Sequence, residues 1–188
     1  FIKRYDMISY RPYVYDDPTP PNVCNTWSAY PLLTYRKTRD VDFTKTAIWK
    51  WLFDVYAHKD DTRMQTVLNL LSWFLQNPAK RSERLWVLMS KGHGTGKSSF
   101  YHLLLALTSP EHGIFYRSME EYLGGFNILQ MNRLWLFIDE VMDATPRQAK
   151  KLHADTTAKS QVFNGKNQRT FQLDVRAEIY CTTNSDLP

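Results

Sequence analysis

A glycine-rich stretch at residues 91–99, which reads KGHGTGKSS, carries the strongest chemical signal in the sequence. Backbone N–H groups of such a loop and of a following helix point at an anion, glycines let the backbone approach it, and a lysine neutralises the outer phosphates. The motif predicts binding of a nucleoside triphosphate, although Lys91 stands where the usual pattern has its first glycine. A glycine-rich hairpin that carries a lysine by chance is the alternative. The candidate phosphate-binding residues are Gly92, Gly94, Thr95, Gly96, Lys97, Ser98 and Ser99.

Two acids follow an apolar run at residues 134–138. The run does not alternate with polar residues, which is typical of a parallel strand buried on both faces, and Asp139 and Glu140 come directly after it. A magnesium ion that bridges phosphates needs the Ser98 hydroxyl and a nearby carboxylate, for which Asp139 is the candidate. Glu140 is the candidate general base that polarises the attacking water. Taken alone, the pair could also be a solvated acidic strand end.

A further strand is predicted at residues 177–183, and it leads into Asn184. An amide at a strand tip can donate to the terminal phosphate or orient the hydrolytic water, because it offers a donor and an acceptor without adding charge. Taken singly, Asn184 is more typical of a turn, since polar residues and a proline follow it. Its position after the loop and the two acids favours a catalytic role beside Lys97 and Glu140.

Strands and a helix must hold these residues in place. An apolar run at residues 85–89 precedes the glycine loop, and a helix is predicted after the loop, ending at Ser109 and Pro110. One apolar stripe of this helix consists of Phe100, Leu103, Leu104 and Leu107. Ligands bind outside the carboxyl ends of the strands in open α/β sheets, so the three sites should meet at one sheet edge. The predicted fold is α/β, a three-layer core around a central parallel sheet, preceded by a small helical segment.

Positive charge is concentrated in residues 145–176, which hold seven Lys or Arg against two Asp. This surplus equals the net charge of the whole chain, +5, so the positive field is local and indicates a nucleic-acid partner. A solvated basic helix is the alternative. The turn signal NGKN at residues 164–167 predicts a hairpin with Lys166 at its tip and Arg169 close by. Phe163 and Phe171 could stack on bases, although we expect both to face the sheet.

Composition sets the broad class. The 188 residues are 43% hydrophobic, enough to bury a core, and the two cysteines have no metal-binding spacing. Reduced thiols indicate an intracellular compartment, and no run is long enough to span a membrane. We expect an extended segment at residues 1–40, a collar-like segment at 41–80 with helices at about 43–58 and 62–76, and the phosphate-binding core at 81–188.

Three motifs together resemble those of the superfamily 3 helicases, and within them the viral and phage primase-helicases of the poxvirus type. Residues 94–98 resemble Walker A, residues 137–140 (FIDE) resemble Walker B, and residues 182–184 (TTN) resemble the asparagine-ending motif C. Residues 125–127 and 161–166 also look like segments of this family. The likeness covers most of the chain and is strongest in its second half.

The resemblance implies a P-loop NTPase core of the AAA-like type that binds ATP and Mg²⁺, assembles as a ring, usually a hexamer, and translocates along single-stranded DNA. Lys97 would hold the phosphates, Ser98 and Asp139 the magnesium, and Glu140 the water. Asn184 would sense the γ-phosphate, and Lys166 would contact DNA in the ring channel. A primase or polymerase domain, on the same or another chain, is a further implied partner. The implied location is the host cytoplasm or nucleus for a virus, or the bacterial cytoplasm for a phage.

Two other functions stay open on the residues alone. A small-molecule kinase uses the same loop on the same kind of sheet, but it would need an arginine-bearing lid that the sequence does not indicate. The other function is a nucleic-acid-binding replication or assembly module with a weak or degenerate ATPase. Lys91 in place of the first loop glycine favours this alternative.

Overall fold

The computed structural model describes residues 3–34, 40–90, 94–141 and 144–184, with residues 33 and 34 described by their backbone only. The chain divides into two compact units, Phe1–Pro78 and Ala79–Pro188. In the described part of the chain, every helix is too short or too polar to cross a membrane.

The first unit begins with two short parallel strands, β1 (Met7–Ser9) and β2 (Val23–Asn25), where the sequence predicted only an extended segment. Asn25 orders the chain between them, because its side chain accepts from the Arg11 N–H at 2.9 Å and donates to the Arg11 carbonyl at 2.8 Å. A short helix, α1 (Pro31–Thr34), follows. The strand pairing was missed because each strand has only three residues and its partner lies far along the chain.

The helix predicted over about residues 43–58 is confirmed only in part, because continuous helical backbone begins at Ala47. This stretch contains a 3₁₀ turn (Phe43–Lys45), helix α2 (Ala47–Trp51) and a π-helical turn (Leu52–Tyr56). The break lies at Thr46, whose ψ of 154° is extended and whose hydroxyl accepts from the Trp49 N–H at 3.1 Å. Local capping by a threonine side chain therefore interrupts a helix that apolar content alone would continue.

The second predicted helix is confirmed as α3 (Asp61–Gln76). Asp60 caps it by accepting from the Arg63 N–H at 2.7 Å. Its fully buried side chains are Met64, Leu71 and Phe74. These positions recur at helical spacing, so α3 buries one face of the amphipathic pattern that predicted it.

The second unit alternates strands and helices before ending in a hairpin and a last strand. In chain order its elements are β3 (Leu85–Met89), α4 (Lys97–Thr108), β4 (Gly113–Tyr116), α5 (Met119–Tyr122), β5 (Trp135–Ile138), α6 (Pro146–Thr157), β6 (Ser160–Phe163), β7 (Phe171–Asp174) and β8 (Glu178–Thr183). The predicted end of α4 at Ser109 is confirmed, whereas β4 and α5 were not predicted.

A four-stranded parallel sheet in the order β3, β8, β5, β4 forms the centre of this unit. Every residue of the two inner strands, β5 and β8, is buried, which confirms the interpretation of the apolar run at residues 134–138 as a strand buried on both faces. The chain is therefore a mixed α/β protein with a central parallel sheet. In this order β8 lies between β3 and β5, so the ends of three strands that carry candidate site residues are neighbours.

Helices cover both faces of the sheet. On one face the Phe137 ring lies 5.5 Å from the Tyr101 ring of α4. On the other face Ile138 belongs to a buried cluster that includes Met119 of α5 and Leu152 of α6. Successive residues of β5 thus point to opposite layers, as strand geometry requires. This arrangement fixes α4 and α6 on opposite sides of the strand ends that form the candidate site.

The predicted hairpin is confirmed by the antiparallel pairing of β6 with β7, in which Phe163 lies opposite Phe171. Helix α6 leads into it from the end of β5. Thr145 and Gln148 form a capping box that begins α6. One short helix therefore connects the strand end that carries Asp139 and Glu140 to the hairpin.

Candidate functional site

At two described positions, the glycine loop has a backbone conformation that only glycine adopts without strain. Gly94 and Gly96 have φ values of 72° and 92°, in the left-handed region that side chains disfavour. Helix α4 begins at the next residue, Lys97, and Gly96 has no side chain with which to cap it. The first N–H groups of a helix lack partners within the helix, so this N-terminus suits an anion. Gly92 lies outside the described residues.

Lys97 connects the loop to the last strand. Its Nζ donates to Asn184 Oδ1 and to Ser90 Oγ, each at 2.6 Å. Ser90 Oγ also lies 2.7 Å from Thr95 Oγ1, a second hydrogen bond at the same hydroxyl. The ammonium group is thus held at the mouth of the loop by the residue that follows β3 and by the residue that follows β8.

The two acids at the end of β5 are held by the backbone and by β8. The Asp139 N–H donates to the carbonyl of Tyr116 at 2.9 Å, which continues the pairing with β4. The Thr182 hydroxyl donates to Asp139 Oδ1 and accepts from the Glu140 N–H at 3.0 Å. Asp139 is partly buried, whereas the Glu140 side chain is exposed. Glu140 can therefore reach a ligand from the solvent side while its backbone stays fixed.

One cavity of about 240 Å³ brings these residues together. Its lining consists of residues 94–99, Asp139, Glu140 and Asn184. Every lining residue is a glycine or carries a hydroxyl, amide or charged group, so the cavity suits phosphate groups far better than an apolar ligand. Apart from Gly92, all the residues that the sequence suggested for phosphate, magnesium and water thus line a single cavity.

A magnesium ion is compatible with the donor set. Ser98 and Asp139 both line the cavity, and hydroxyl and carboxylate oxygens are the ligands that Mg²⁺ takes. No cluster of three or more His, Cys, Asp or Glu side chains that could hold a metal ion exists among the described residues. An ion at Ser98 and Asp139 would therefore complete its shell with oxygens of a bound nucleotide and water.

The hairpin forms a second surface that does not contribute to the cavity. Lys166 lies in its turn and Arg169 near the start of β7, and both side chains are exposed. Phe163 is 2% exposed, but Phe171 is 47% exposed, so the expectation that both rings face the sheet is wrong for Phe171. β7 has no second strand beside it in the described chain, which leaves one ring of this cross-strand pair accessible. A basic turn with an accessible aromatic ring can contact both the phosphates and the bases of a single strand.

The turn end of the hairpin is attached to a turn that precedes β5. Asn127 Nδ2 donates to the Val162 carbonyl at 2.9 Å, and Asn127 Oδ1 accepts from the Asn164 N–H at 2.8 Å. In return, Asn164 Nδ2 donates to the Gly125 carbonyl at 3.0 Å. The segments at residues 125–127 and 161–166 are therefore hydrogen-bonded to each other.

The roles of Ser90, Thr182 and Asn127 were not predicted from the sequence. Thr182 had a usable signal, because it lies two residues before Asn184 and alternate residues of a strand share a face. Ser90 had a weaker signal, as the polar residue directly after β3. Asn127 had no sequence signal beyond its motif, since its hydrogen-bond partners are more than thirty residues away.

Comparison with known proteins gives a family and a fold. Residues 88–188, more than half of the chain, match the model of DUF5906, described as a family of unknown function. No curated protein matches the chain. An apo structure of the NrS-1 C terminal region (305–718) is similar with a TM-score of 0.74 at 18% identity, covering 94% of this chain and 42% of that one.

An A form apo structure of the same NrS-1 region gives a TM-score of 0.74 at 19% identity, covering 96% of this chain and 43% of that one. At this identity the likeness shows the fold alone. The chain spans less than half the length of these structures. The family match, in contrast, extends from the end of β3 through the loop, both acids and Asn184. The chain belongs to the DUF5906 family.

Proposed function

We propose that this chain is the ATP-dependent DNA helicase motor of a viral or phage replication protein, of the superfamily 3 type. In this proposal it hydrolyses ATP at the loop cavity and uses the energy to move along single-stranded DNA held at the hairpin. The core is then a P-loop NTPase of the AAA-like type. The proposal goes beyond the fold and rests on the arrangement of the side chains.

The observation that carries the proposal is the convergence of Lys97, Asp139, Glu140 and Asn184 around one polar cavity. These residues come from different strand ends and the start of α4, and each has a separate role. Lys97 neutralises phosphate charge, Asp139 with Ser98 holds Mg²⁺, and Glu140 polarises the water. Asn184, already bonded to Lys97, supplies an amide at the terminal phosphate.

The nucleic-acid half of the proposal rests on the hairpin. Lys166 and Arg169 are exposed next to an accessible aromatic ring, a combination that binds single strands without reading sequence. Helix α6 lies between the acids and the hairpin along the chain, so it is the candidate route by which a change at the cavity would reach the DNA. A ring of subunits, usually a hexamer, and a primase or polymerase domain as partner follow from the helicase resemblance.

ATP hydrolysis with and without single-stranded DNA tests this function. Wild-type chain should hydrolyse ATP, and DNA should stimulate it. Lys97→Ala should abolish turnover, whereas Lys45→Ala should not, because Lys45 is an exposed lysine paired with Asp42 at 3.1 Å in the first unit. Tight DNA binding without any turnover would instead indicate a nucleic-acid-binding module, and turnover that DNA leaves unchanged would favour a kinase.

A further inference from the structure

We infer that Thr182 is a positioning residue for the reaction at the cavity, which fixes both acids of β5 in their working orientation. The inference rests on the proposed ATP hydrolysis and assigns a new role within it. Thr182 does not line the cavity and is 1% exposed, so it can act only through its neighbours.

The Thr182 hydroxyl makes two different hydrogen bonds at once. It donates to Asp139 Oδ1 and accepts from the Glu140 N–H at 3.0 Å. A hydroxyl has one proton to donate and lone pairs to accept with, so the two bonds are compatible and leave no freedom in the direction of the proton. One carboxylate oxygen of Asp139 is thereby assigned to Thr182, and the other remains for a cation.

The backbone of the same residue holds the chain that follows. The Thr182 carbonyl accepts from the Val141 N–H at 2.8 Å. Three consecutive residues, 139 to 141, are therefore bonded to a single residue of β8. This attachment replaces ordinary strand pairing, because β5 ends at Ile138.

Glu140 needs such an attachment because its backbone is strained. Its φ is 49°, in the left-handed region that a residue with a long side chain rarely adopts. Such conformations persist only when the surroundings hold them, and they concentrate at functional sites. The bond from its N–H to Thr182 is one of the contacts that hold it. The strained turn places Glu140 in the lining of the same cavity as Asn184.

Thr182 also connects the acids to Asn184. Thr182 lies in β8 and Asn184 follows directly after its last residue, so a shift of this strand end on nucleotide binding would move both. Asn184 contacts Lys97, and Thr182 contacts the acids. One strand tip thus sets the distance between the phosphate-binding lysine and the residues that hold the metal and the water.

Thr182→Val tests the role of the hydroxyl, because it keeps the shape of the side chain and removes both hydrogen bonds. We expect kcat for ATP hydrolysis to fall about 10- to 100-fold with little change in the KM for ATP, as for other residues that orient ligands of a metal. Binding of a fluorescent ATP analogue should need more Mg²⁺. Thr182→Ser keeps the hydroxyl and should restore both properties to near wild type.

Thr156→Val is the matched control. Thr156 is also a buried threonine of this unit, 4% exposed, but its hydroxyl donates to the Leu152 carbonyl within α6. The Thr156→Val variant should keep the wild-type kcat and the wild-type dependence of nucleotide binding on Mg²⁺. Thermal unfolding of each variant separates loss of folding from loss of orientation.

Each outcome decides between the inference and the proposed function. Wild-type hydrolysis that Thr182→Val leaves unchanged would overturn the inference and leave the function standing. A Thr182→Ser variant as impaired as Thr182→Val would also overturn it, and this comparison applies even if the valine variant does not fold. A wild-type chain that neither binds nor hydrolyses ATP would remove the proposed function, and the inference with it.

Discussion

Lys97 Nζ donates a hydrogen bond of 2.6 Å to Asn184 Oδ1, joining two residues that lie 87 positions apart. The bond links the start of α4 to the residue after β8. A lysine in contact with a neutral amide keeps its positive charge available, because the amide accepts a hydrogen bond without neutralising the charge. In the proposed function, a phosphate that enters the cavity would compete with the Asn184 oxygen for Lys97, which would couple nucleotide binding to the tip of β8.

Asn184→Ala should lower kcat for ATP hydrolysis by about 100-fold, because one preorganised polar group aimed at a reacting phosphate is worth about that much. ATP should still bind, since the loop and Lys97 remain. Steady-state hydrolysis measures kcat, and titration with a fluorescent ATP analogue measures binding. Asn69→Ala, an exposed asparagine of α3, serves as the control. An unchanged kcat for Asn184→Ala would show that the amide has no part in the reaction.

Asn127→Ala should loosen the turn end of the hairpin. It removes the bonds to the Val162 carbonyl and the Asn164 N–H, and a net loss of stability of about 1–2 kcal/mol is expected for two such bonds. Affinity for single-stranded DNA should fall while ATP hydrolysis without DNA stays at the wild-type level. Asn127→Asp keeps the acceptor oxygen and should lose less stability than Asn127→Ala. Equal loss of basal hydrolysis and DNA affinity would contradict a role confined to the hairpin.

Phe163 and Phe171 should respond in opposite ways to truncation. Phe163 is 2% exposed, so Phe163→Ala should destabilise the protein by about 3–5 kcal/mol, as for other buried phenylalanines. Phe171 is 47% exposed, and Phe171→Ala should weaken binding of single-stranded DNA by about 1–3 kcal/mol through lost base stacking. Chemical denaturation and a DNA-binding titration measure the two effects. Unchanged DNA affinity in Phe171→Ala would exclude stacking by this ring.

Cys181 should resist alkylation in the folded protein. It is 2% exposed on β8, and burial raises the pKa of its thiol from 9.0 to about 12. Because the folded pKa exceeds the unfolded value, the stability that this neutral thiol contributes is complete below pH 9.0 and is lost as the pH rises towards about 12. With Cys24→Ser as the background, iodoacetamide at about pH 8, below the ordinary thiol pKa, should modify Cys181 only after unfolding. Rapid labelling of the native protein would contradict this.

The sequence predicted the sheet better than the first unit because buried parallel strands have long apolar runs that few other structures share. The apolar run at residues 134–138 therefore indicated β5, and a strand was also predicted at residues 177–183, where β8 lies. Their spatial order, with β8 between β3 and β5, could not be read from the chain, because pairing partners are set by tertiary packing. The helix predicted at about 43–58 begins later than expected for a local reason, the cap that Thr46 makes.

The candidate site was predictable in its residue types and not in its connections. Lys97 follows a glycine loop, and Asp139, Glu140 and Asn184 carry charges or an amide directly after predicted strands, so their chemistry is visible in the sequence. Their supporting bonds to Ser90 and Thr182 are not, since a hydroxyl in a sequence has many possible partners. The exposure of Phe171 was missed for a similar reason, because alternation gives the face of a strand but only the fold shows which part of that face is covered.

Strand displacement is the measurement that tests the helicase proposal most directly. Wild-type chain is given a DNA duplex with a single-stranded tail and ATP with Mg²⁺, and release of a labelled strand is followed. We expect ATP-dependent release by the wild type, strong loss in Glu140→Gln, which keeps the size of the side chain but cannot act as a base, and loss in Lys166→Ala. ATP hydrolysis and tight DNA binding without any release of the strand, at all protein concentrations, would contradict the proposal.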